Sequence, residues 1–303
     1  MKLLLKQIGR QWIFHLFIWP PLIMLIIFHY IPLIQGIRMS FQDFKPAKGF
    51  FGEQEWVGLE NYRYLFSLPS FSEALINTLI ISIIKIVLMI VVPVLIAVLL
   101  DEVSSKRLKK VIQTSITLPH FISWVLLAGI YINILSPSEG GINVLLNRLG
   151  LESIYFLGEG QFFKATIIIT DVLKEFGFAT IVYLATIANI DQAQYEAAEV
   201  DGATRFQRIR YITIPNMQMI IILMTVLSLG HVLNAGFDQV YNMINSAVTR
   251  EGEILDTLIY KMGFTQFEYS LSTAANMFKS IVSLLLIGTA YLYAYKKHNY
   301  VVF

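Results

Sequence analysis

Six predominantly apolar stretches punctuate the 303-residue chain, at 12–33, 76–100, 111–135, 163–190, 215–233 and 275–295. Each is about as long as the 20 residues a helix needs to cross a bilayer. None shows the alternation over about ten residues that marks a membrane barrel strand. The pattern therefore predicts an all-α, polytopic membrane protein with six transmembrane helices. Pro20, Pro21 and Pro93 fall inside these stretches, where neighbouring groups can satisfy the freed backbone. The first stretch is too long for the apolar region of a signal peptide, and no small-residue cleavage pattern follows Phe28, so it reads as a retained anchor.

Composition supports this class. Hydrophobic residues make up 56% and charged residues 15%, with a mean hydropathy of +0.63. A soluble domain carries about a quarter charged residues. A soluble enzyme, a disordered chain and a nucleic-acid binder are excluded. The net charge of +2 suggests no polyanionic partner. With no cysteine there is no disulfide framework, cysteine–zinc site or thiol chemistry. No internal repeat is visible, and the loops at 34–75 and 234–274 hold at most a short helix or cap. The chain reads as one transmembrane domain over 1–303, with an anchor helix at 12–33 and core helices over about 76–295.

Lysine and arginine set the orientation. Lys2, Lys6, Arg10, the four basic residues of 101–110, Arg205, Arg208, Arg210, Lys296 and Lys297 lie on one side. Arg38, Lys45, Lys48, Arg63, Arg148, Arg250 and Lys261 are spread over longer loops on the other. The first side is predicted to be cytoplasmic, with both termini inside.

The loop at 191–214 is the most informative polar segment. Asp191 with Gln194 three residues on suggests an acidic capping box, and Thr204 with Gln207 a second. The run from Gln192 should be helical and end near Asp201-Gly202, where glycine permits a left-handed turn. Arg205–Ile214 should form the next helix, with Pro215 opening the fifth span. Apolar residues within this polar loop (Ala193, Ala197, Ala198, Val200, Phe206, Ile209, Ile212) imply a docking face. Packing of the hairpin on its own bundle is the alternative.

Tyr195-Glu196-Ala197-Ala198, then Asp201-Gly202-Ala203, then Ile212 and Pro215, resembles without gaps the EAA loop of binding-protein-dependent ABC importer permeases. The resemblance implies a type I importer permease fold. It also implies a coupling helix in which Glu196, Ala197, Ala198, Asp201, Gly202 and Ala203 meet a separate ATPase. Gly236-Phe237-Asp238-Gln239 with Asn242 and Asn245, and Tyr269-Ser270 before Thr273-Ala274, are similar to segments of carbohydrate-uptake permeases. Asn245-Ser246-Ala247-Val248, Asp256-Thr257 and Tyr260 look most like the branch importing pectin-, rhamnogalacturonan- or alginate-derived oligosaccharides. The partners implied are a second permease chain, two ATPase subunits, an extracytoplasmic solute-binding protein, an oligosaccharide and membrane lipid, in a bacterial cytoplasmic membrane. No cofactor is implied. The chain has no Gly-Lys dipeptide and hence no phosphate-binding loop, and no HExxH or GxSxG motif. It is expected to transport rather than to catalyse.

Charges inside spans are costly and normally face a bundle interior or water. Lys85 in the second span and Asp171, Lys174 and Glu175 in the fourth lie at similar depths. Helical spacing lets Asp171 meet Lys174 and Glu175. They form either an internal ion-pair network or part of the substrate pathway. Lys279 is read as a snorkelling residue, and His231 as a hydrogen-bonded helix residue of the fifth span. Two other readings fit the pattern: a permease of the same fold for a polyamine or phosphate, or an ion-gradient-coupled carrier titrating Asp171 and Glu175.

Overall fold

A computed structural model describes residues 12–298. Lys2, Lys6 and Arg10, and the side chains of Trp12, Tyr293 and Lys297, lie outside the described residues. The described residues are mostly helical, and the strands among them form one short hairpin, Gln42–Asp43 against Glu55–Trp56.

Helices stand at all six apolar stretches. Among the described residues, four are long and apolar enough to cross a membrane: Leu16–Ser40, Pro69–Asp101, Arg205–Leu229 and Tyr269–Leu292. The fourth stretch forms Gly160–Ala188, whose 29 residues suffice in length but carry Lys164, Asp171, Lys174 and Glu175. The third departs from a single helix. It consists of Lys106–Phe121 and Trp124–Ile134, meeting at 103°. Pro119 lacks the N–H that would continue the helix, Ile122 is extended, and Ser123 Oγ starts the second half by accepting the Leu126 N–H. Hydropathy spans such a break because both halves are apolar.

The chain divides into two compact units. One comprises Met1–Leu68 and Ile259–Phe278. Its long helix passes through a π turn at Ile26–Tyr30, and nothing in its most apolar window is buried. The hairpin and the Glu60–Ser67 helix are tied to the end of that helix. Asn61 Nδ2 donates to the carbonyls of Ser40 and Gln42, and Tyr62 donates to Ser40 Oγ at 2.9 Å.

The other unit comprises Pro69–Leu258 and Lys279–Phe303. Its axis is a pair of helices, 69–101 and 160–188, which run side by side in the same direction. Ile81 joins Phe163, Ile167 and Ile168 in one apolar core. Val94, Ala97 and Val98 join Tyr183, Ile187 and Met217 in another. Between the two cores lies a polar layer containing Lys85, Asp171, Lys174 and Glu175. The broken third span packs against this pair. A Cβ on Gly177 would fall 1.9 Å from the Ile116 carbonyl oxygen, so only glycine permits that approach.

Candidate functional site

Two sites emerge from this framework. The first is the loop between the fourth and fifth long helices. Asp191 Oδ1 accepts the Ala193 N–H and opens the Gln192–Val200 helix. Gln194 does not close the expected box, because its Oε1 instead accepts from Asn216 Nδ2. The helix ends in a Schellman motif. The Ala203 N–H reaches back to the Ala198 carbonyl at 2.8 Å, and the Gly202 N–H to Glu199 at 3.0 Å. Gly202 has φ +76°, while a Cβ there would meet nothing within 4 Å. Its backbone angle, and no crowding, is what calls for glycine. The Thr204–Gln207 capping box forms in full and starts Arg205–Arg208. A π turn, Ile209–Thr213, then leads into Ile214–Leu229, with Pro215 in its first turn.

Packing divides the apolar residues of this hairpin. Tyr195, Ile209 and Ile212 pack against the core around Met217, and Tyr195 Oη shares a hydrogen bond with Thr213 Oγ1 at 2.9 Å. Val200, Phe206 and Tyr211 remain 87%, 68% and 69% exposed. Glu196, Ala197, Asp201, Gly202 and Pro215 are exposed, and Ala198, Ala203 and Ile212 half-buried. Both readings of the hairpin therefore apply, each to different residues. One side anchors it to its own bundle, and the other leaves large apolar groups uncovered within the chain.

The second site is the polar layer. Lys85 Nζ donates to the Ala235 carbonyl at 2.8 Å and to Gln239 Oε1 at 2.6 Å, and lies 3.4 Å from Asp171 Oδ1. All three ammonium donors thus have partners. Gln239, fully buried, donates in turn to the Ile167 carbonyl and Thr170 Oγ1. The second span, the fourth span and the Phe237–Met243 helix are locked together through one amide.

Lys174 pairs with its neighbour Glu175 at 2.7 Å. Its second donor bonds the His120 carbonyl at 2.9 Å, a group left without a helical partner at the break of the third span. The ammonium also lies 5.6 Å from the Trp124 ring centroid. His120 Nδ1 lies 2.6 Å from Glu175 Oε2, and its ring stacks on Phe178 at 4.1 Å. The acids are thus matched in two pairs, Lys85 with Asp171 and Lys174 with Glu175.

A cavity of about 570 Å³ opens on this layer. Lys85, Asp171 and Glu175 line it with Ser82, Ser228, His231 and Asn234. Lys174 is not in its wall. His231 lies in the turn after Leu229 and faces the cavity, so it is no residue of the fifth helix. Lys279 does not snorkel. Its side chain is only 15% exposed and pairs with Asp256.

His120 and the hub role of Gln239 carry no sequence signal of their own. His120 meets Glu175 only because Pro119 breaks the span beside it. Gln239 stands out in the sequence only as part of the family-like segment Gly236-Phe237-Asp238-Gln239. A polar residue just past a span end, such as Asn234, is the type that could have been singled out.

Residues 89–292 match the family described as "Binding-protein-dependent transport system inner membrane component". Among curated relatives, Protein LplB of Bacillus subtilis (strain 168) is 40% identical over 277 residues, covering 91% of this chain and 86% of that protein. The polygalacturonan/rhamnogalacturonan transport system permease protein YteP of the same strain is 38% identical over 289 residues, covering 95% and 89%. Among solved structures, a chain of a bacterial ABC transporter involved in import of the acidic polysaccharide alginate superposes with a TM-score of 0.90. It is 36% identical, with 97% of this chain and 99% of that chain covered. A chain of the alginate transporter in complex with its alginate pentasaccharide-bound periplasmic protein gives 0.88 at 35% identity, with 96% of each chain covered.

Proposed function

Since the chain belongs to the family of binding-protein-dependent transport system inner membrane components, we propose that it is one membrane subunit of an ATP-driven importer for an acidic oligosaccharide. It is a multi-pass permease of type I importer fold, and no enzyme. In this reading it works beside a second, different permease chain, with two ATPase subunits on the cytoplasmic side and a solute-binding protein outside. Both termini are cytoplasmic.

The observation that carries the coupling role is the 191–214 hairpin. It is anchored by Tyr195, Ile209 and Ile212 and bare at Val200 and Phe206. A hairpin fixed on one side and uncovered on the other transmits displacement rather than absorbing it. Glu196 through Ala203 form the contact with the ATPase, and Ile212 and Pro215 join it to the fifth span. Closure of the ATPase pair draws the hairpins of the two permease chains together, and the spans rock between outward and inward openings.

The cavity beside Lys85, Asp171 and Glu175 is the sugar path, and Lys174 supports its wall from behind. The substrate class is supported by the relatives that handle polygalacturonan or alginate. An ion-gradient-coupled carrier is disfavoured, because both acids already have cationic partners. The test of coupling is charge reversal at exposed Glu196. Glu196→Lys is expected to release most of the ATPase during a salt wash that the parent complex survives. Equal retention would overturn this assignment of the docking surface.

A further inference from the structure

Lys279 lies outside the polar layer, yet it reaches the same cavity through one side chain. Its ammonium pairs with Asp256 Oδ1 and lies 3.4 Å from Asn234 Oδ1. An ammonium group has donors only, so the amide facing it must present oxygen. The nitrogen of that amide is thereby turned away from Lys279. Asn234 lines the cavity, as do Ser82, Asp171, Glu175 and His231. Its Nδ2 donates to no group among the described residues.

We propose that Lys279 is a positioning residue that holds Asn234 as a hydrogen-bond donor toward the cavity, and that this donor favours carboxylate-bearing sugars. The inference rests on the reading of the cavity as the sugar path and names what that path selects. Among the described residues Lys85 is the only lysine or arginine in the cavity wall, and its three donors are taken by Ala235, Gln239 and Asp171. A uronate therefore finds no free cation in this wall, which also carries the paired carboxylates of Asp171 and Glu175, and must be held by neutral donors. Hydrogen bonds to an ionised acceptor are roughly twice as strong as those to a neutral one. The same N–H thus discriminates a carboxylate from the hydroxymethyl group of a neutral sugar.

The test uses the full importer with its ATPase and binding protein in proteoliposomes. The probes are trimers of galacturonate and of mannuronate, each with its carboxyl-reduced, uncharged counterpart. The measured quantity is the ratio of acidic to neutral uptake, which the amount of inserted protein does not move. Asn234→Asp puts a like charge where the donor stood, and is expected to lower the ratio roughly tenfold. Lys279→Gln frees the amide to rotate and is expected to lower it about threefold, while Lys279→Arg keeps it near the parent value. A parent ratio retained in Asn234→Asp overturns the proposal. Should that variant not assemble, Lys279→Gln indistinguishable from Lys279→Arg overturns it on the same measurement. If the parent takes up none of the four sugars, the oligosaccharide reading itself falls, and this inference with it.

Discussion

At Gly202 the backbone sits at φ +76°, with open space where a side chain would begin. The cost of substitution is therefore conformational, roughly 1–2 kcal/mol for an ordinary residue in the left-handed region. Asparagine tolerates that region better than a β-branched residue does. Gly202→Val is expected to abolish ATP-driven uptake, and Gly202→Asn to keep most of it. Equal loss in both variants would show that bulk at the docking surface, and not the bend, is what matters. This position was legible from sequence, since a glycine after a helix-favouring run needs only local rules. The partners of Lys174 were not. Spacing along one helix offered it Asp171 and Glu175, but its carbonyl partner at His120 comes from another helix, 54 residues away in sequence. Local periodicity carries no information about such a meeting.

Among the elements, the third span is where the apolar pattern and the backbone diverge. Hydropathy registers that 111–135 is greasy, and it is blind to direction. The 103° bend is fixed by Pro119 and Ser123, and by the close seat that Gly177 offers to the end of the first half. Gly177→Ala would drive a methyl group into the Ile116 carbonyl, at 1.9 Å before relaxation. Overpacking of this kind costs about 1–3 kcal/mol. The thermal midpoint of the purified assembly is expected to fall measurably, while Gly129→Ala, with open space around its Cβ, leaves it unchanged. Matching midpoints for the two variants would mean that the seat is not close in solution. By contrast, the helix, bend and capping box of 191–208 were readable almost residue by residue, because each rests on contacts within a turn or two. The exception is Gln194, drawn away from its local partner by Asn216.

For the whole molecule, the polar layer between two apolar cores is balanced: two ammonium groups face two carboxylates. A balanced layer has no spare countercharge to travel with a cargo. In the proposed reading each uronate then crosses as an uncompensated negative charge, moving against an inside-negative voltage. That is electrical work of roughly 2.3 kcal/mol per charge for every 100 mV. Uptake of a charged oligouronate is expected to slow when an inside-negative potassium diffusion potential is imposed on proteoliposomes. The carboxyl-reduced sugar should be indifferent to the same voltage. Identical responses from the two sugars would mean that a counterion accompanies the acid. On this view part of the energy of each ATP is spent on the membrane's electric field, and the share grows with the number of uronate residues in the chain being imported.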